Sequence, residues 1–150
     1  MAERTSSSAV VDAPPDRVLA VVADLEDYPA WAASVREVEV LKRGAGGLPA
    51  RARFRVEGGP LADEYVLAYA WDVADDGTGD VRWDVDEPGR VVADLDGSYA
   101  LRARDDGGTD VRYDLGVELR VPLPGLLRRR AERTVTSTAL TELARRAARG

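Results

Sequence analysis

The sequence predicts a single α+β domain, spanning residues 1–150, in which a long helix lies on the apolar face of a curved antiparallel sheet. Hydrophobic residues alternate with charged ones in six successive segments between Val38 and Val121, as in strands with one buried face. Short turns rich in Gly, Asp and Pro separate these segments, so neighbouring strands run antiparallel. Pro122 and Pro124 then end the last strand, and the pattern from Pro124 to Gly150 predicts one helix.

The first 34 residues predict one strand and two short helices. The strand covers Ser6 to Val11. A helix begins in the segment 12–16, since proline is tolerated in a first turn and a carboxylate suits the positive end of the helix. Its apolar positions recur at helical spacing: Val18, Leu19, Val22 and Leu25. Tyr28-Pro29 breaks this helix, and a second short helical turn is expected to follow, to about Ser34.

The inward faces of the six later strands are apolar. They carry no charged residue from Val38 to Val121, and Gly97 is expected to break or bend the sixth strand. By alternation with Phe54, three arginines of one strand point outward: Arg51, Arg53 and Arg55. A register slip of one residue would turn all three inward.

Composition excludes several classes of chemistry. A chain of 150 residues is one ordinary domain, and its 45% hydrophobic and 32% charged residues are typical of a globular protein. The absence of Cys and His removes thiol chemistry and the commonest general base, so no metal site or cofactor is expected. No apolar run reaches about 20 residues. The N-terminus lacks the apolar core of a signal peptide, so a cytoplasmic location is expected.

The net charge of −6 is unevenly distributed. The segment 123–150 holds seven arginines against Glu132 and Glu142, whereas the remainder is strongly acidic. The acidic body argues against a nucleic acid as partner. The basic helix could meet an anionic membrane surface or an acidic acyl carrier protein, although a solvated outer face is the simpler interpretation. Many arginines beside the single Lys42 suggest a GC-rich bacterial source.

Two segments carry a likeness to a known superfamily. They are Val10-Val11-Asp12-Ala13-Pro14-Pro15-Asp16-Arg17-Val18 and Asp24-Leu25-Glu26-Asp27-Tyr28-Pro29-Ala30-Trp31. With the element order, they resemble the START-like (Bet v 1-like, SRPBCC) superfamily, and within it the polyketide cyclase/dehydrase and coenzyme-Q-binding (COQ10-like) group. The resemblance implies a helix-grip fold, with seven antiparallel strands around the long C-terminal helix and two short helices after the first strand. It also implies a cavity for a lipophilic molecule, without deciding the function.

The expected lining of this cavity is aromatic. The residues are Trp31, Phe54, Tyr65, Tyr69, Trp71, Trp83, Tyr99 and Tyr113, with Val135 and Thr138 from the long helix. These last two share one helix face with Glu142. An apolar lining with a few hydroxyls and an indole N–H suits a hydrophobic or aromatic ligand with one or two polar groups. The simpler alternative is that the rings only pack the core and that Thr138 bonds its own backbone.

Two functions are open at this stage, and a third is less expected. The first is binding or carriage of a lipid, a quinone or an aromatic polyketide-like molecule. The second is an aromatase/cyclase or dehydratase that acts on a carrier-bound poly-β-keto chain. The resemblance implies a pocket arginine for such cyclases, and the outward Arg51, Arg53 and Arg55 depart from that, so no catalytic residue is assigned. The third is a protein-interaction module with a filled core.

Overall fold

The computed structural model describes residues 3–32, 34–58, 61–120 and 140–148. The chain begins with strand β1 (Glu3–Val11), helix α1 (Pro15–Ala23) and a 3₁₀ helix (Leu25–Ala30). The later strands are β2 (Val35–Arg43), β3 (Pro49–Gly58), β4 (Leu61–Val73), β5 (Gly79–Glu87), β6 (Val92–Ala103) and β7 (Thr109–Leu119). A short 3₁₀ turn lies between β2 and β3 at Ala45–Gly47. A helix, α2, occupies 140–148.

The seven strands form one curved antiparallel sheet in the order β1-β7-β6-β5-β4-β3-β2. Strands β2 to β7 follow one another as a meander, and β1 joins the far edge by pairing with β7. The predicted α+β class and the seven strands are therefore confirmed. The buried inner face carries, among others, Val38, Ala52, Phe54, Leu67, Val81, Trp83, Tyr99, Val111, Tyr113 and Leu115. Alternation along each strand leaves the charged residues on the outer face.

Helix α1 begins where the prolines predict. Pro14 is the extended N-cap residue and Pro15 the first helical residue, a position where the missing N–H costs no intrahelical hydrogen bond. Val18 and Val22 of α1 are buried in the core. The buried hydroxyl of Thr109 donates to the carbonyl oxygen of Ala13 at 2.8 Å, which fixes the start of α1 against the start of β7.

The second short helix lies earlier than the sequence predicts. It covers Leu25–Ala30 as a 3₁₀ helix and ends before Trp31, instead of following Trp31 to about Ser34. Helix α1 ends at Ala23, because the next residue, Asp24, leaves the helical conformation with φ −85° and ψ 72°. The 3₁₀ helix includes Pro29. At its end, the N–H of Trp31 donates to the carbonyl oxygen of Tyr28 at 3.1 Å.

Helix α2 enters the core through one face. Leu140, Leu143 and Ala147 are buried at helical spacing. The Nη2 atom of Arg146 lies 2.7 Å from a carboxylate oxygen of Asp27, which ties α2 to the 3₁₀ helix. The predicted helix over 124–139 lies outside the described residues, so its full length stays a prediction. Among the described helices, none is both long and apolar enough to cross a membrane.

The three arginines of β3 point outward, as the alternation predicts. Arg51 pairs with Asp86, 2.6 Å away, and with Glu87. Arg53 pairs with Glu39 at 3.2 Å and Arg55 pairs with Glu37 at 3.5 Å. The register slip that would turn them into the core does not occur. Each pair is largely exposed, so its individual contribution to stability is small.

A buried carboxylate that the sequence analysis missed holds the turn between β5 and β6. Asp63 of β4 is 9% exposed. Its carboxylate accepts the backbone N–H groups of Arg90 at 2.8 Å, Val91 at 3.2 Å and Val92 at 2.8 Å. A side chain thus supplies the acceptors that this turn lacks within its own backbone.

We expect Asp63→Ala to lower the free energy of unfolding by about 1–2 kcal/mol, because the buried N–H of Val92 loses its acceptor. The other two N–H groups are closer to solvent and water replaces the lost bonds. Asp63→Asn, which keeps one acceptor oxygen, loses less. Urea titration at neutral pH measures all three proteins, with Asp75→Ala in an exposed turn as the control, expected to stay within about 0.5 kcal/mol. Equal stability of Asp63→Ala and Asp75→Ala would contradict the role of Asp63.

Candidate ligand-binding cavity

A cavity of about 300 Å³ lies against the inner face of the sheet. Seven of the ten residues predicted to line a cavity border it: Trp31, Phe54, Tyr65, Tyr69, Trp83, Tyr99 and Tyr113. The rest of the described lining is Tyr28, Ala32, Ser34, Val35, Val56, Leu67, Leu95, Leu115 and Glu142. The volume is at the lower end of the range for small-molecule pockets. That these residues hold a ligand stays a prediction.

The other three predicted residues are placed differently. Trp71 lies outside this lining, because its indole N–H donates to the carbonyl oxygen of Pro49 at 2.6 Å. Its ring stacks on Tyr69 with centroids 5.7 Å apart, so it packs beside the cavity wall on the same face of β4. Val135 and Thr138 lie outside the described residues.

The rings of the wall pack on one another across neighbouring strands. Tyr69 of β4 lies opposite Trp83 of β5, and their ring centroids are 5.9 Å apart. Trp83 also contacts Tyr99 at 5.3 Å and Tyr113 at 5.8 Å. Each of these four rings thus contacts at least two other rings. Such contacts add to the stabilisation from burial alone and restrict the ring orientations.

Gly97 makes this packing possible. It lies directly opposite Trp83 in the pairing of β5 with β6, and a Cβ atom there would lie 2.5 Å from the Trp83 ring. The prediction was a break or a bend at Gly97, and strand β6 runs unbroken through this position. The glycine is needed for space beside the indole rather than for ending the strand.

The 3₁₀ helix after α1 contributes a tyrosine, Tyr28, that the sequence analysis did not place among the cavity-lining residues. The buried hydroxyl of Tyr28 donates to the carbonyl oxygen of Val22 at 2.5 Å. Its ring packs edge-on against Trp31 at 4.9 Å and against Phe54 at 6.2 Å. The indole nitrogen of Trp31 is buried, and no described residue accepts its hydrogen. The proximity of Tyr28 and Trp31 in the sequence was the signal that could have placed both on one wall.

Glu142 is the charged side chain that borders the cavity among the described residues. It lies on α2, one turn before Arg146. The helical spacing already placed Glu142 on the face predicted to lie towards the sheet. Its carboxylate gives a wall of mostly aromatic and aliphatic side chains one acidic position.

All five tyrosines of the chain border the cavity. Burial raises the pKa of each above its ordinary value, and for four of them the neighbouring hydroxyls raise the pKa further. The five side chains are Tyr28, Tyr65, Tyr69, Tyr99 and Tyr113. They are therefore neutral at physiological pH. A neutral phenol is a hydrogen-bond donor, so these groups can bind a ligand oxygen or deliver a proton, but they do not act as tyrosinate bases.

The acidic turns are accounted for by local hydrogen bonds. The Asp76 carboxylate accepts the hydroxyl and the backbone N–H of Thr78. The Asp106 carboxylate accepts the N–H of Gly108. These hydrogen bonds lower the pKa of both carboxyl groups. Within the described ranges, no three acidic side chains converge in a way that could hold a metal ion.

A curved seven-stranded antiparallel sheet, with helices after its first strand and an aromatic cavity on its inner face, defines a START-like domain. Residues 11–144 match the family described as polyketide cyclase/dehydrase and lipid transport, and the chain belongs to this family. No protein of curated function matches the sequence significantly.

Solved structures with this fold come from several bacteria. The Zhui aromatase/cyclase from Streptomyces sp. R1128 superposes with a TM-score of 0.83 at 18% identity, covering 99% of this chain and 95% of the other. A protein from Thermus thermophilus gives a TM-score of 0.78 at 23% identity, covering 97% of both chains. A START superfamily protein from Mycobacterium smegmatis gives a TM-score of 0.77 at 21% identity, covering 95% of this chain and 92% of the other. Identities this low establish the fold alone.

Proposed function

We propose that this protein binds a small lipophilic, ring-bearing molecule in the cavity between the sheet and the C-terminal helix, and carries it. The observation that supports the proposal is the cavity of about 300 Å³ with a wall of aromatic and aliphatic side chains. Apolar pockets with a few placed polar groups are the usual form of small-molecule sites. In this proposal the helix extends over 124–150 and bounds the cavity opposite the sheet.

The cavity volume narrows the class of ligand. A two-chain phospholipid is several times larger than about 300 Å³, whereas a molecule of two or three fused rings, or a quinone ring with a short tail, is of suitable size. The stacked side chains of the wall, such as Phe54 and Tyr69 at 6.5 Å, favour flat ligands for the same reason that aromatic side chains pack on one another.

We also propose a cytoplasmic location. The ligand would be taken up from, or delivered to, an anionic membrane surface or an acyl carrier protein. The basic C-terminal segment supports such a partner. Four of its arginines lie in 128–133, outside the described residues. Arg146 is already paired with Asp27, so Arg145 is the described arginine of α2 left for this contact.

A second candidate is cyclisation of a carrier-bound poly-β-keto chain. The observation that favours it is the presence of Glu142 and several neutral tyrosines on one cavity wall. A carboxylate can remove a proton from the carbon between two carbonyl groups, and a phenol can donate a proton to the oxygen of the attacked carbonyl. One C–C bond forms, and the later loss of water restores conjugation. No described arginine borders the cavity, and this makes carriage the first candidate.

The test of carriage is native mass spectrometry of the purified protein, followed by denaturing extraction of any bound molecule. We expect a ligand at one per chain, and saturable binding of the neutral fluorophore N-phenyl-naphthylamine when the cavity is empty. Turnover of a thioester-linked poly-β-keto chain to an aromatic product would instead support the second candidate. If the protein carries no bound molecule and also fails to bind the fluorophore, the proposed cavity function is contradicted.

A matched pair of variants locates the binding. Val35 borders the cavity, whereas Val10 is 56% exposed on the edge strand β1. Val35→Trp places a large ring where the ligand would lie and is expected to weaken fluorophore binding at least about tenfold, or about 1.4 kcal/mol. Val10→Trp makes the same change at the surface and is expected to leave the affinity unchanged. Equal affinities of the two variants would place the fluorophore elsewhere.

A further inference from the structure

The cavity wall carries two buried tyrosines side by side. Tyr99 of β6 and Tyr113 of β7 are directly opposite partners in the antiparallel register. Their ring centroids are 4.7 Å apart at an interplanar angle of 81°. The side chains are 5% and 8% exposed, and both border the cavity. Their rings are therefore fixed by the sheet, with Trp83 packed against both.

The hydroxyls of this pair differ from that of Tyr28. The Tyr28 hydroxyl is satisfied by the Val22 carbonyl. Among the described residues, none forms a hydrogen bond with the hydroxyl of Tyr99 or of Tyr113. Among the described residues, the fully buried side-chain polar atom without a partner is the indole nitrogen of Trp31, so the hydroxyls of Tyr99 and Tyr113 are not sealed in the core but open onto the cavity that both residues border. These two donors are thus available to a molecule in the cavity.

The hydroxyl of Tyr113 acts on the other tyrosines of the cavity. After burial, its hydroxyl contributes to the raised pKa of Tyr28, Tyr65, Tyr69 and Tyr99. All five of these tyrosines border the same cavity, so the phenol groups of the wall form one electrostatically linked set.

Resting on the proposed cavity function, we propose that Tyr99 and Tyr113 form a donor pair that selects ligands with a carbonyl oxygen attached to a ring system. Neutral phenols donate hydrogen bonds, and a ketone or quinone oxygen only accepts them. A plain hydrocarbon of the same shape would leave both buried donors unpaired, and sites built to bond an oxygen reject analogues that lack it. The ligand class is therefore a flat, neutral aromatic ketone or quinone rather than a hydrocarbon chain.

The test compares anthraquinone with anthracene, which have the same three fused rings with and without two carbonyl oxygens. Each displaces N-phenyl-naphthylamine from the cavity, so one assay gives both affinities. The wild-type protein is expected to bind anthraquinone about tenfold more tightly, as one net hydrogen bond provides. In Tyr113→Phe, which keeps the ring and loses only the hydroxyl, the preference is expected to fall to about twofold or less.

Two further variants make the outcome decisive. Tyr99→Phe is expected to reduce the preference as Tyr113→Phe does, and it replaces that variant if circular dichroism shows that Tyr113→Phe is unfolded. Tyr28→Phe removes a hydroxyl that already has a partner, so any loss of affinity falls equally on both ligands and the ratio persists. Equal binding of the two ligands by the wild type, or an undiminished preference in both Tyr99→Phe and Tyr113→Phe, overturns the donor pair while the cavity function stands. If the protein binds neither anthraquinone nor anthracene, the donor pair and the cavity function are both overturned.

Discussion

Raising the pH is expected to unfold this protein cooperatively between about pH 11 and pH 13, well above the ordinary pKa of tyrosine. All five tyrosines border the cavity, and burial raises the pKa of each in the folded state. Burial resists ionisation because a phenolate is poorly solvated among aromatic rings. In the unfolded chain the same hydroxyls are exposed to water and ionise in the ordinary range.

The sign and the size of the effect follow from proton linkage. Above about pH 10 the unfolded state binds fewer protons than the folded state, so the free energy of unfolding falls as the pH rises. Below that pH the full stability is present. Tyr28, Tyr99 and Tyr113 are each less than a tenth exposed, and together they remove about 4 kcal/mol per pH unit. Tyr65 and Tyr69, which are more exposed, add a smaller amount. Domains are typically stable by only about 5–15 kcal/mol.

The composition makes this titration easy to interpret. The chain has no cysteine or histidine and a single lysine, Lys42, and arginine keeps its charge in this range. Tyrosinate absorbance and far-ultraviolet circular dichroism, followed in the same samples, are expected to change together in one sharp transition. Gradual tyrosinate formation centred near pH 10, with unchanged circular dichroism, would contradict the burial of the five hydroxyls.

The sheet could be predicted because every inner strand repeats the same local signal. Alternation with a period of two is clear even in β3, where Phe54 separates arginines that form outward ion pairs. The 3₁₀ helix could not be placed, because local spacing around Pro29 does not distinguish an α turn from a tighter one. Asp63 was missed for a different reason. It bonds backbone groups 27 to 29 residues away, and no local pattern reports such a contact.

The aromatic wall was predictable only in part, since alternation identifies the face of a strand and not the position along it. Tyr69 and Trp71 share the inward face of β4, yet of these two residues Tyr69 borders the cavity and Trp71 does not. The indole of Trp71 bonds the Pro49 carbonyl instead. Tyr28 lies in a turn, where no period applies, so its place on the wall required the tertiary structure.

The indole of Trp83 leaves no room for a side chain at Gly97. We expect Gly97→Val to lower the free energy of unfolding by about 3 kcal/mol, at the upper end of the usual cost of overpacking. A Cβ atom at Gly97 would lie 2.5 Å from Cζ2 and 2.6 Å from Cε2 of Trp83, closer than carbon atoms approach. The indole cannot retreat, because Tyr69, Tyr99 and Tyr113 pack against it.

Urea unfolding followed by tryptophan fluorescence measures this cost. Gly97→Ala is expected to lose about 1–2 kcal/mol, whereas Gly44→Ala, where the nearest atom would be 3.7 Å away, should stay within about 0.5 kcal/mol of the wild type. Combining Gly97→Ala with Trp83→Leu removes the ring that the new methyl group strikes. The alanine should therefore cost less in that background, as expected for two residues in contact. An unchanged cost would show that Trp83 is not what requires glycine at this position.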